Sequence, residues 1–325
     1  MAFKKKLKDR MTSIKVPGTG PKKKADTAEG KLLEPQTLTK AEALGMHARK
    51  VVEGAMAGRY KSPFTGFAIE FHQHREYVAG DDMRHMDWKV YGRTERHLIK
   101  QYEQETNFDG CVLLDGSQSM QYGSGDTTKL DYGRILAAVL CYLIVNERNS
   151  LQLGVFDTET RAFYPKTTNP RAMSNVCELI ANFEPSDQSK IGEVLHSYAN
   201  QLKAAGITII ISDFFDDIEE VLDGLRHLAF RKHEVIVFHV LDPYEIDFPF
   251  EGTVEFEGLE VEEKLTLQPH AIRKSYQEEV QKFLKQIRIG CEQFDINYEL
   301  CNTGEPVGEV LNRYLATRLR VTGRH

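Results

Sequence analysis

Short apolar runs alternating with helical segments predict an α/β chain built on a doubly wound, mostly parallel sheet, preceded by a small irregular N-terminal module. Two observations carry this prediction. The runs Cys111–Leu114, Leu151–Phe156, Ile207–Ile211 and Glu234–Leu241 are too apolar for strands with one wet face, and strands covered by helices on both sides read this way. The helical segments after them run to about 12 to 17 residues, the length of a crossover that returns the chain to a parallel neighbour.

Taken in order, residues 1–39 form a basic arm with Lys4-Lys5-Lys6 and Lys22-Lys23-Lys24 around Pro17-Gly18-Thr19-Gly20-Pro21, a composition that reads as disordered. Residues 40–104 are the N-terminal module. Ala43, Leu44, Met46, His47, Val51, Val52 and Met56 give its Lys40–Ala57 stretch a helical period, ended by Gly58. The remainder is dense in charge and aromatics, with short strands expected at Ala68–Phe71 and His97–Tyr102. Residues 105–325 are the main domain. After the strand at Cys111–Leu114 come a long helix at Leu130–Asn146, the strand Leu151–Phe156 and an edge strand at Arg161–Tyr164. Helices at Pro170–Asn182 and Ile191–Ala205 lead to the β-branched strand Ile207–Ile211, and a helix at Asp216–Ala229 leads to Glu234–Leu241. A hairpin-like stretch at Gly252–Leu267, a helix from His270 to about Glu292, a strand at Ile296–Leu300 and a helix from Pro306 to about Arg320 complete the chain.

Composition narrows the function. With 41% hydrophobic residues, thirteen Tyr and seventeen Phe, the chain can bury a core, and general disorder is excluded. The longest apolar run, Ile135–Val145, is too short for a membrane span, and no apolar core follows the basic start, so a cytoplasmic protein is expected. Residues 1–40 carry eleven Lys or Arg against four Asp or Glu, whereas the rest carries thirty-one against forty-four. So acidic a body is a poor general binder of nucleic acid. The arm is then either a solubilising tail or a tether to anionic lipid, nucleic acid or an acidic partner. Cys111, Cys141, Cys177, Cys291 and Cys301 are odd in number, scattered and without a C-x-x-C pair, as small core residues of a reducing compartment would be.

Ligands of open α/β sheets sit beyond the carboxyl ends of the strands. The first main-domain strand ends in Asp115-Gly116-Ser117-Gln118-Ser119-Met120, a D-x-S-x-S spacing that puts a carboxylate and two hydroxyls on one tight loop. Asp213 closes the Ile207–Ile211 strand, and Ser189 lies just before the helix that starts near Ile191. Two carboxylates and three hydroxyls are hard donors suited to Mg²⁺ or Mn²⁺. So few charges leave such an ion under-neutralised, which favours a carboxylate from a partner protein as its last ligand. The competing reading is that these Ser and Asp residues are helix caps and turn formers, or loops of the right shape that hold no metal.

The D-x-S-x-S loop resembles the first loop of the metal-ion-dependent adhesion site of a von Willebrand factor A domain, a Rossmann-type fold. Upstream, Glu70-Phe71, Arg75-Glu76-Tyr77, Gly80-Asp81-Asp82-Met83-Arg84-His85-Met86-Asp87-Trp88 and Tyr91-Gly92-Arg93-Thr94 resemble the hallmark of a bacterial family. That family is catalogued as domain of unknown function 58 and associated with MoxR-type AAA+ ATPases. The match runs from about Met46 to the C-terminal helix. The resemblance implies a metal held by Asp115, Ser117, Ser119 and Asp213, with Ser189 at the family's threonine position. It also implies a non-enzymatic adaptor or chaperone-like partner of such an ATPase, acting on an unidentified client.

The upstream run also has a reading of its own. Asp81, Asp82 and Asp87 alternating with Arg75, Arg84 and Lys89 suit an ion-pair network around Trp88, with Arg84 as its organiser, or a docking surface for the ATPase. His72, His74 and His85 suit a polar surface better than a metal. Asp216-Asp217 and Glu219-Glu220 read as a solvated helix start. No P-loop, GxGxxG, G-x-S-x-G or H-E-x-x-H occurs, so any ATP is handled by a partner. The rivals from other classes are a metal-dependent hydrolase using the same rim carboxylates and a binder of anionic surfaces acting through residues 1–40.

Overall fold

The computed structural model describes residues 40–57, 68–78, 83, 86–105, 108–185, 189–202, 206–252, 254–257 and 264–322. The chain divides into two compact units, one of residues 62–108 and the other of the remainder.

In the larger unit, β3 (Asp109–Asp115), β4 (Ser150–Phe156), β5 (Thr160–Thr167), β6 (Ile207–Ser212), β7 (Glu234–Leu241) and β10 (Asn297–Asn302) form a six-stranded sheet in the order β10-β7-β6-β3-β4-β5. All neighbours are parallel except β5, which runs antiparallel to β4 at the edge. The four strands predicted from apolar runs are the four central ones. β6 is buried at every position, and β3 at six of seven, because helices cover both faces. On one face α5 (Ile191–Gln201), α6 (Ile218–Phe230) and α8 (Pro269–Gln293) pack against Leu113, Ile210, Val235 and Val237. On the other lie α3 (Lys129–Asn146) and α9 (Val307–Thr322), whose Tyr314 meets Phe238 edge-on at 5.2 Å between ring centroids. α3 is buried nearly all round, as its apolar sequence requires. α7 (Pro243–Asp247) follows β7, and β8 (Val254–Glu257) pairs with β9 (Lys264–Leu267) in the expected hairpin.

The N-terminal helix α1 (Lys40–Ala57) lies where the sequence reading did not put it. It packs on α3, on α4 (Met173–Asn182) and on α9, with Ala48 and Val52 buried, and so belongs to the larger unit rather than to a module spanning 40–104. Residues 170–172 are a 3₁₀ turn preceding α4. The Asp216–Ala229 helix starts at Ile218, with Asp217 as its cap.

The smaller unit pairs β1 (Ala68–Glu76) antiparallel with β2 (Leu98–Glu105), both longer than expected, with a register shift between Phe71 and Gln73. Between them α2 (Trp88–Thr94) is capped by Asp87, whose Oδ1 accepts from the Lys89 and Val90 amides. The Asp87 Oδ2 meets His74 Nε2 at 3.0 Å. Trp88 is 57% exposed, so it is not the buried centre of an ion-pair network. Asp81, Asp82, Arg84 and His85 lie outside the described residues, as does the His72 side chain. Among the described residues no helix is long and apolar enough to cross a membrane.

Candidate functional site

The pairing of β3 with β6 ends at Leu114 opposite Ile211, so the next residues, Asp115 and Ser212, close their strands on adjacent positions of the sheet's carboxyl edge. The Gly116 amide donates to the Phe156 carbonyl at 2.7 Å, and a Cβ here would run into the Phe183 ring, which is why glycine follows the aspartate. The chain then turns back over its own carboxylate. The Ser117 amide donates to Asp115 Oδ1 at 2.9 Å, and the Ser117 and Ser119 hydroxyls sit 2.9 Å apart. From the neighbouring strand, Ser212 Oγ donates to Asp115 Oδ2 at 2.6 Å, and Ser189 Oγ reaches the same oxygen at 3.4 Å. The Ser189 segment is pinned on its C-terminal side. The Lys190 amide donates to the Asp157 carbonyl at 3.1 Å, and the Ile191 amide to Asp216 Oδ2 at 2.8 Å. Asp216 thus ties two rim loops together instead of opening a solvated helix.

Asp115, Ser117, Ser119, Ser212 and Asp213 are fully buried, and Ser189 is half-buried, the nearest of the expected ligands to solvent. Burial, reinforced by the Asp213 charge, pushes the Asp115 carboxyl up to about 7 against the lowering effect of its hydrogen bonds.

Asp213 shares this buried neighbourhood with Asp115, but its carboxylate is engaged elsewhere. Its Oδ2 accepts from Lys129 Nζ at 2.7 Å, and its Oδ1 from the Phe215 amide at 3.2 Å. Lys129, fully buried at the first position of α3, also donates to Glu245 Oε1 at 2.7 Å. Its ammonium lies 4.6 Å from the centroid of the Phe215 ring. Burial alone would lower this lysine, but the two carboxylates outweigh it and the ammonium is held charged. Glu245 completes a capping box with Asp242 on α7, and burial pushes it up to about 7. Asp213 and Glu245 therefore share one buried ammonium, whereas the partners of Asp115 are hydroxyls and an amide.

His239 stands behind this pair on β7. Its Nε2 is 2.9 Å from the Asp213 carbonyl and its Nδ1 2.9 Å from the Tyr298 hydroxyl. A carbonyl only accepts, so Nε2 carries the proton and Nδ1 accepts from the tyrosine. Burial pulls the ring down to about 4 and keeps it neutral.

Lys129, Ser212, Glu245 and His239 join the site without having been selected from the sequence as its members. One local signal was present for the lysine: a cation in the first turn opposes the helix dipole and calls for an anionic partner. The Asp242-Pro243-Tyr244-Glu245 cap was similarly visible. Neither signal names a partner 84 or 116 residues away.

Among the described residues no group of three or more His, Cys, Asp or Glu side chains is placed to hold a metal. What the rim offers is a hydroxyl-rich donor set around Asp115. That set fits a hard, water-keeping cation such as Mg²⁺ and not zinc.

Fold and rim together define a mixed α/β protein with a buried, acidic and hydroxyl-lined cluster at the carboxyl ends of two adjacent parallel strands. The chain belongs to the family described as Protein of unknown function DUF58, whose model matches residues 73–285. It is 25% identical over 234 residues to the uncharacterized proteins Rv1480 of Mycobacterium tuberculosis and Mb1516 of Mycobacterium bovis, covering 71% of this chain and 73% of each relative. Among solved structures it is similar to the conserved hypothetical protein BatB from Bacteroides thetaiotaomicron (14% identity, TM-score 0.44, 66% of this chain and 100% of that one). It is likewise similar to an aerotolerance-related membrane protein from Bacteroides fragilis (14% identity, TM-score 0.42, the same coverage).

Proposed function

We propose that this chain is a non-enzymatic, von Willebrand factor A-like protein-binding module. In this reading Asp115, Ser117, Ser119 and Ser189 hold Mg²⁺ or Mn²⁺, and a carboxylate of a partner protein completes the shell. The observation that carries it is the imbalance at Asp115, a fully buried carboxylate set among hydroxyls while the nearby ammonium is spent on Asp213 and Glu245. A divalent ion would supply the positive charge that Asp115 lacks, since Lys129 is shared between Asp213 and Glu245. Asp213 then acts as a charge behind the shell, held in place by Lys129. The ion supplies a Lewis-acidic position for an external acid, while the protein residues fix its direct ligands and exclude water from behind. The resemblance of the run ending at Asp87-Trp88 supports a MoxR-type AAA+ ATPase as the partner, acting with this chain on an unidentified client, and the short apolar runs of the sequence support the cytoplasm as the place of action.

Calorimetry with MgCl₂ and MnCl₂ tests the metal. Wild-type protein should bind one ion and unfold at a higher temperature with it than in EDTA. Asp115→Asn should lose the response while unfolding in EDTA no lower than wild type, because it removes a buried charge and keeps the shape. Absence of binding to wild-type protein would sink the metal site. Metal-independent capture of the ATPase would then leave the adaptor reading standing on its own.

A further inference from the structure

We propose that His196 and His227, facing each other across the seam between α5 and α6, form a second metal site, one for a borderline transition-metal ion such as Ni²⁺ or Cu²⁺. His196 Nδ1 lies 2.9 Å from His227 Nδ1, and the ring centroids are 5.1 Å apart. Both residues are half-buried, so a small ion reaches the rings from solvent. The pair shares no residue with the Asp115 cluster, and its donors are of another kind. Imidazole nitrogens suit nickel and copper, whereas carboxylate and hydroxyl oxygens suit Mg²⁺.

Spacing, an orienting acid and a rigid support argue for it together. Metal–imidazole bonds of about 2.0–2.1 Å place two nitrogens about 2.9 Å apart on a square or octahedral ion and about 3.4 Å apart on a tetrahedral one. The observed separation therefore favours Ni²⁺ or Cu²⁺ over Zn²⁺. Asp223 Oδ2 stands 3.3 Å from the other ring nitrogen of His196, Nε2. A carboxylate only accepts, so it draws the ring proton to Nε2 and leaves the Nδ1 lone pair for the ion. Asp223 is thus a positioning residue outside the shell, consistent with the absence of a three-ligand cluster among the described residues. Arg226 is itself paired with Asp223, which offsets a cation that would oppose the metal. The helices meet so closely at Gly192 and Gly224 that a Cβ at either would come within 2.9 Å of the facing helix. His196 and His227 lie four and three residues after these glycines, one turn further along the same helix faces. The close contact thereby holds the two rings at chelating distance. With the rings pivoted so that both Nδ1 lone pairs meet at one point, the ion has two protein ligands and keeps water in its remaining positions.

The test is calorimetric titration of the full chain with NiCl₂ and CuCl₂ in excess MgCl₂, which competes at oxygen-donor sites, beside His196→Gln, His227→Gln and Asp223→Asn. Saturable binding is expected in wild type. Asp223→Asn should weaken it about tenfold, the effect of losing an orienting carboxylate, and loss of either histidine should weaken it further. The electron paramagnetic resonance spectrum of wild type with less than one equivalent of Cu²⁺ should carry the splitting of two nitrogens, a readout that needs no variant to fold. The proposal is overturned if both histidine variants, folded as wild type by circular dichroism, bind Ni²⁺ and Cu²⁺ as wild type does. A Cu²⁺ spectrum with no nitrogen splitting, or with that of three or more nitrogens, would also overturn it.

Discussion

A buried ammonium requires carboxylates close at hand, and Lys129 has two, each at 2.7 Å. Removing the cation leaves both acids buried without it, a loss of about 3–5 kcal/mol. Lys129→Met should therefore lower the calorimetric unfolding temperature by about 10 °C. Adding Asp213→Asn and Glu245→Gln should recover most of that, since the triple change removes the two charges that the lysine had paired. His239 gives a pH signature. Its folded pKa of about 4 lies below the value near 6.5 of an unfolded histidine, so the unfolded chain takes up the proton first. The stability that the neutral ring contributes is present above pH 6.5 and is lost as the pH falls toward 4. Compared with His239→Asn, wild type should lose ~3 kcal/mol of relative stability across that window by denaturant titration, with the carboxylate contributions cancelling between the two. The D-x-S-x-S spacing made Asp115, Ser117 and Ser119 legible because their contacts are local. The pairing of Asp213 with Lys129 was not, because 84 residues separate them and only the sheet order brings them together.

At the scale of elements, α5 and α6 approach through their glycines. A Cβ on Gly192 would come within 2.9 Å of the Glu220 backbone oxygen, and one on Gly224 within 2.9 Å of the Leu195 Cβ. Alanine is the better helix former by about 1 kcal/mol, but overpacking rigid neighbours costs about 1–3 kcal/mol. Sterics should win, and Gly224→Ala should shift the urea midpoint downward. The central strands were legible because burial on both faces writes itself as continuous Val, Ile and Leu. Helix starts were less so. Asp216 and Asp217 look alike in sequence, yet Asp217 caps α6 through the Glu219 amide at 2.8 Å while Asp216 reaches across to Ile191. Nothing local separates an acid that caps from one that crosses.

For the whole molecule, the larger unit is discontinuous in sequence, with α1 arriving before residues 62–108 and packing among helices that come after them. The reading of 40–104 as one module missed this, because an amphipathic period identifies a buried face without naming what buries it. Two truncations separate the possibilities. A chain beginning at Asp109 should expose the surfaces that α1 covers, forfeiting about 1.5 kcal/mol or more for Val52 alone, and should bind a hydrophobic dye. A chain that keeps α1 and replaces 62–108 with a flexible linker should keep the cooperative unfolding of the intact protein. All five cysteines are free and buried, with the Cys111 and Cys291 thiols pushed up to about 12. The native fold should thus shield them from maleimide reagents. A single cysteine introduced at Lys50 would then carry a fluorophore with no background labelling, turning the molecule into its own optical reporter.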